Sequence, residues 1–237
     1  MKKITIIGTG YVGLVTGAGL ADFGNYVTCV DIKESKINLL KSGTIPIHEP
    51  GLEKLIQYNV REKRLFFTTS IAESISEAEV IFIAVGTPES KNGEANIDFV
   101  KQVAKTIGKN LNMYKVICTK STVPIGTGKI ICSIIKANNV RNIKFDYVSN
   151  PEFLREGSAV KDFLLPDRVV IGAVNKKAFK ILKEVYRPLY INETPMLHTN
   201  IETAEMIKYA SNSFLALKIS YINEIANLCE IVGADVH

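Results

Sequence analysis

Residues 3–13, KITIIGTGYVG, admit few folds. A short β-branched run ends at a glycine, and Gly8, Gly10 and Gly13 then fall at G-x-G-x-x-G spacing ahead of an apolar helix pattern starting near Tyr11. In that strand-turn-helix context Gly8 permits the tight turn, Gly10 lets the backbone approach a pyrophosphate, and Gly13 lets the helix pack on the strand. A second strand pattern, YVTCVD, ends with Asp31. That is about 20 residues on, where a carboxylate accepts hydrogen bonds from ribose hydroxyls and repels a 2'-phosphate. The expected cofactor is NAD rather than NADP.

The same rhythm continues along the chain. ITIIG (4–8), YVTCVD (26–31), LFFTT (65–69), EVIFIAV (79–85), KVICTKS (115–121), FDYVSN (145–150) and RVVIGA (168–173) alternate with helical stretches, among them 97–110 and a segment from Gly126 to about Ala137. This predicts an α/β fold, a doubly wound Rossmann-type domain with a mostly parallel sheet, over residues 1–199. After MLHTN (196–200) one helical pattern runs without glycine or proline until Gly233. A helix of ~30 residues spans ~45 Å, too long for another crossover on the sheet. Residues 200–237 are therefore expected to form a separate linker or dimerisation helix.

Composition excludes several classes. With 46% hydrophobic residues in 237, the chain can bury a substantial core. The net charge of +5 is dispersed over 29 basic and 24 acidic residues, which reads as a solvated surface rather than a nucleic-acid footprint. Lys101, Lys105 and Lys109 fit that reading as one exposed helix stripe. The apolar run after Met1 is too short for a signal segment or membrane span. Cys29, Cys118, Cys132 and Cys229 form no CxxC pair, as expected of reduced thiols in a cytoplasmic protein. His48 and Glu49, in IPIHEPGL, read as a polar loop, and no metal site is expected.

Chemistry gathers at the ends of the later strands. Val85-Gly86-Thr87-Pro88 and Ser121-Thr122-Val123-Pro124 each follow a strand at the edge where ligands of open α/β sheets bind, and SNPEFLREG sets Glu152 and Glu156 after another. Together GTGYVG, Asp31, GTP, STVP, NPEFLREG, PDRVVIG and EMIKYASNSF resemble the nucleotide-sugar dehydrogenases, most closely the UDP-glucose 6-dehydrogenases, over all 237 residues. The resemblance implies oxidation of the C6 alcohol of a UDP-sugar to a carboxylate with two NAD, through an aldehyde captured by a cysteine thiolate and a thioester. It also implies that Gly8, Gly10, Tyr11, Val12, Gly13, Asp31, Lys36, Thr87, Thr122 and Glu156 hold NAD. Residues Glu152, Phe153, Leu154, Arg155 and Glu156, with Lys208 and Asn212, would line the sugar-nucleotide pocket. Glu152, directly or through a water held with Thr122, is the implied general base. Lys208 and Asn212, at i and i+4 on one helix face, are placed to donate hydrogen bonds to an oxyanion. Arg155 is expected to point away or to bind phosphate.

The family's nucleophile lies in a GxGGxCxxKD stretch beyond the long helix, and no such stretch occurs here. Two readings follow: the NAD-binding part of a UDP-glucose 6-dehydrogenase, inactive alone, or a self-standing NAD-binding module. The substrate remains open to UDP-N-acetylhexosamine or GDP-mannose. Ile207, Phe214, Leu217, Ile219, Ile222, Ile225 and Leu228 give the helix more apolar surface than one contact with the sheet requires, so a homodimer through residues 200–237 is expected.

Overall fold

The computed structural model describes residues 1–236; His237, at the end of the expected helical region, lies outside the described residues. The strands are β1 (Lys3–Ile7), β2 (Tyr26–Val30), β3 (Leu65–Thr68), β4 (Val80–Ile83), β5 (Lys115–Thr119), β6 (Phe145–Ser149), β7 (Val169–Ala173) and β8 (Met196–Thr199). Among the described residues they form one sheet in the order β3-β2-β1-β4-β5-β6-β7-β8. The helices are α1 (Tyr11–Asp22), α2 (Glu34–Lys41), α3 (Leu52–Arg61), α4 (Ile71–Glu77), α5 (Asp98–Asn110), α6 (Thr127–Asn138), α7 (Ala159–Leu164), α8 (Lys176–Val185) and α9 (Ile201–Val232).

Alternation along the strands sends neighbouring residues into different cores. Ile6 and Phe82 enter the core shared with Leu14, Leu52 and Leu182, while Ile7, Ile81 and Ile83 enter the one shared with Val100, Ile107 and Ile131. Both faces of the central strands are thus covered, and those strands read as continuous apolar runs. Cys29 and Cys118 are buried strand residues. No helix among the described residues is long and apolar enough to cross a membrane.

Two features depart from the sequence pattern. MLHT, which precedes the long helical pattern, is strand β8. Strand β7 runs antiparallel to β6, overlapping it by only Val148–Ala173 and Ser149–Gly172. The connection, residues 150–168, carries the 6-residue helix α7 between loops. The chain re-enters at the edge it left. As a result β7 and β8, parallel to each other, project past the carboxyl ends of the parallel strands and wall one side of that edge.

Helix α9 is 32 residues long and ends at Gly233 in the left-handed region. Its buried residues are Ala204, Glu205 and Lys208, and from Asn212 onward most of it is exposed. It lands on Gly172, where a Cβ would lie 2.5 Å from the Ala204 Cβ and 2.8 Å from the Asn200 carbonyl oxygen. The substitution Gly172→Val is expected to destabilise the chain by about 1–3 kcal/mol through overpacking, read as a lower urea midpoint; an unchanged midpoint would show that the helix does not seat here.

Candidate active site

The order β3-β2-β1-β4-β5-β6 reverses direction between β1 and β4, and at that switch point the crossover helices leave to opposite faces and open a crevice. The turn after β1 occupies it. Gly8 has φ of 106° and donates its N–H to the Val30 carbonyl at 2.8 Å, and a Cβ there would meet the Ala84 carbonyl at 2.5 Å. At Gly13 a Cβ would lie 1.9 Å from the Gly8 carbonyl oxygen, so α1 packs on the turn without clearance. Over Gly10 the space is open, and no side chain caps α1 there. Its first-turn N–H groups are left for an anion.

Asp31, just past β2, faces this turn. Its Oδ2 accepts from the Thr9 N–H at 3.1 Å and the Thr9 hydroxyl at 2.6 Å, and its Oδ1 accepts from the Lys33 N–H at 3.1 Å. Lys36 Nζ stands 3.5 Å from Oδ2. Burial pushes the Asp31 carboxyl up, but these donors and the Lys36 charge outweigh it and hold the group below its ordinary value. An uncapped helix start, open space at Gly10 and an ionised carboxylate at the end of β2 together fit a dinucleotide without a 2'-phosphate.

Across the crevice, the turns after β4 and β5 are tied together. The Thr87 hydroxyl donates to the Thr122 carbonyl at 2.8 Å, and the Ser121 hydroxyl donates to the Val85 carbonyl at 2.6 Å. Beyond them Pro151 ends β6 and is buried, while Glu152 turns inward. Glu152 Oε2 accepts from the Leu154 N–H at 2.6 Å, and its Oε1 takes a hydrogen bond from Lys208 Nζ at 2.9 Å. Both side chains of this ion pair are nearly buried, at 11% and 8% exposure, so Lys208 is no surface lysine. The Arg168 guanidinium lies 4.6 Å and Lys208 Nζ 5.4 Å from the centre of the Phe153 ring. Asn212, one turn beyond Lys208, is exposed, as is Glu156. Arg155 is committed to Asp162, with its Nη2 at 2.6 Å and its Nε at 3.0 Å from the two carboxylate oxygens, and stands mostly in solvent. Its pull and hydrogen bonds hold the Asp162 carboxyl below its ordinary value.

IPIHEPGL is a loop leading into α3, as expected, but Glu49 within it is buried. That residue is 6% exposed; its carboxylate accepts from the N–H groups of Gly157 at 2.9 Å and Ala159 at 2.7 Å. The Tyr11 hydroxyl lies 3.1 Å from Glu49 and 2.9 Å from the Arg155 carbonyl, so that side chain braces the NPEFLREG loop against α1. Among the described residues no cluster of three metal-ligating side chains occurs.

A cleft of about 450 Å³ opens beneath the loop, lined by Glu152, Phe153, Arg168, Asn150, Tyr186 and Lys120 among others. Lys120, which follows β5, had no sequence signal because a lone lysine defaults to the surface. It is 4% exposed, and its Nζ reaches Asn150 Oδ1 and the Tyr186 hydroxyl only at 3.4 Å each. Burial pushes its ammonium down to about 8. At neutral pH the folded state must protonate a buried amine, whereas an unfolded lysine titrates near 10.4. Relative to Lys120→Met, wild-type stability is therefore expected to rise as pH passes from about 8 to 10, recovering a penalty on the order of 3 kcal/mol. Denaturant unfolding of both chains across that range checks it, and a pH-independent difference would show that the buried amine keeps the proton affinity of an ordinary lysine.

The model described as UDP-glucose/GDP-mannose dehydrogenase family, NAD binding domain, matches residues 2–190, and that family's central domain matches 202–237. The UDP-glucose 6-dehydrogenase TuaD of Bacillus subtilis (strain 168) is 57% identical over 236 residues, covering 100% of this chain and 50% of that protein. The UDP-glucose 6-dehydrogenase of Rhizobium meliloti (strain 1021) is 52% identical over 99% of this chain and 54% of its own length. Among solved structures, a UDP-glucose dehydrogenase from Pyrobaculum islandicum superposes with a TM-score of 0.95 at 38% identity, over 100% of this chain and 55% of that one. A GDP-mannose dehydrogenase from Pseudomonas aeruginosa gives 0.94 at 37% identity, over 99% and 54%. The chain spans about half the length of the relatives it matches.

Proposed function

Since the chain belongs to the UDP-glucose/GDP-mannose dehydrogenase family, we propose that it is the NAD-binding, base-bearing half of a UDP-glucose 6-dehydrogenase, oxidising the C6 alcohol of UDP-glucose to the uronate. The observation that carries this reading is the Glu152–Lys208 pair, set beside the crevice of a dinucleotide turn. UDP-glucose is preferred to GDP-mannose because the relatives named for it are the more identical in sequence. Residues 1–199 form the cofactor domain in this reading, and α9 begins a central domain.

Gly8, Gly10, Gly13 and the backbone of Tyr11 and Val12 would hold the pyrophosphate, Asp31 and Lys36 the ribose, and Thr87, Thr122 and Glu156 the nicotinamide end. Bound NAD supplies a hydride acceptor. Glu152 receives the proton of the C6 hydroxyl, directly or through a water shared with Thr122. Lys208, already donating to Glu152, remains the adjacent cation as the substrate oxygen gains charge, and Asn212 adds a donor from the same helix. Phe153 and Leu154 shape the sugar pocket. Arg155, held by Asp162, acts at its rim.

The exposed Phe214, Leu217, Tyr221, Ile222 and Leu228 support a homodimer through α9. The free thiols suit a reducing cytoplasm.

Calorimetric titration tests the cofactor assignment. NAD is expected to bind more tightly than NADP, and Asp31→Ala to weaken NAD by roughly tenfold, the worth of about one charge-assisted hydrogen bond; absence of NAD binding would overturn the assignment. In the protein completed to its relatives' length, Glu152→Gln is expected to lower kcat for NADH formation from UDP-glucose by roughly 10²–10⁴ with NAD affinity kept. Wild-type turnover in that variant would remove Glu152 from the role of base.

A further inference from the structure

The long helix carries a buried acid three residues before Lys208. Glu205 is 2% exposed, and its carboxylate accepts from the Gly126 N–H at 2.6 Å and the Gly128 N–H at 2.8 Å. These amides lie at the start of α6, whose N-cap residue, Gly126, is left-handed and offers no side-chain cap. The cap comes instead from an element more than 70 residues away in sequence. Contact there is tight: a Cβ on Gly128 would lie 2.6 Å from Ile201 and 2.7 Å from the Tyr147 ring.

A carboxylate satisfied by two amides and nearly out of water is an expensive way to hold two helices together. Lys129, a cation that acts on it, is itself paired with Glu202 at 3.0 Å. The two amides, however, close the turn that begins at Ser121. The Thr127 hydroxyl donates back to the Pro124 carbonyl at 2.6 Å, and the Thr122 carbonyl accepts the Thr87 hydroxyl at 2.8 Å. A continuous path of short hydrogen bonds and rigid turn backbone thus runs from α9 to the turns after β5 and β4.

We infer that Glu205 is a positioning residue: by clamping Gly126 and Gly128 it sets the 121–126 turn and the Thr122–Thr87 link, and so couples the long helix to cofactor affinity. Glu205 and Lys208 then divide one turn of α9 between two loops, the acid holding the cofactor-side turn and the lysine holding Glu152. The coupling to affinity rests on the proposed contacts of Thr87 and Thr122 with NAD; the coupling between the turns does not.

Two readouts separate these. Hydrogen exchange on Glu205→Gln and Glu205→Asp, with Leu182→Ala in remote α8 as a control for general destabilisation, reads the mechanical link. Faster exchange is expected in 121–128 and, across the Thr87–Thr122 bond, in 85–87, with neither changed in the control. Exchange confined to 126–128 would overturn the inference. NAD titration at a temperature where every variant is folded is expected to show affinity at least roughly fivefold weaker in both Glu205 variants and unchanged in Leu182→Ala, a coupling of the usual allosteric size. Parent affinity in folded Glu205 variants would also overturn it. If the parent chain itself binds no NAD, the cofactor assignment fails and the exchange pattern alone decides the link.

Discussion

The parallel strands share one carboxyl edge, and the structure is organised around the break in strand order along it. Because crossovers from β1 and β4 must leave to opposite faces, no helix can fill the gap between their ends. Backbone with little side chain must line that gap, which is why Gly8 and Gly13 cannot carry a Cβ. The loops that follow β4, β5 and β6 then converge on it, and each is held by a side chain from somewhere else. Thr87 ties the first pair, Glu205 clamps the second turn, and Glu49 and Lys208 fix the third loop at its two ends.

That pattern has an electrostatic price. Glu49, Lys120, Glu205 and Lys208 are charged groups nearly removed from water, a placement that stability alone disfavours. Three of them meet amides or an opposite charge and so orient loops. Lys120 is the exception, since its two contacts are long and burial depresses its ammonium. Its amine lines the same cleft as Glu152.

Much of this was legible in the chain. The helix bounds near Asp98, Thr127 and Ile201 follow from periodicity and from Gly126 and Gly233, because 3.6-residue repeats and left-handed glycines are local properties. The grouping of Gly8, Asp31, Thr87, Thr122 and Glu152 on one edge follows from their common position after strands. Strand β8 escaped because MLHT is short and half exposed at an edge, with no alternation to mark it. The reversal of β7 escaped because it depends on how far the segment between NPEF and PDR travels in space.

What the sequence alone determined is the fold class, the dinucleotide turn and the positions along the chain that carry chemistry, all set by local sterics and hydrophobic period. Only the tertiary structure decided which of those side chains meet. Glu152 and Lys208 stand 56 residues apart, and Glu49 lies 108 residues before Gly157. Such contacts arise from where α9 seats on Gly172 and where the IPIHEPGL segment folds back. No local preference of a glutamate or lysine specifies its partner; burial in a shared space does, because an ion removed from water must find whatever donor or acceptor the packing brings within reach.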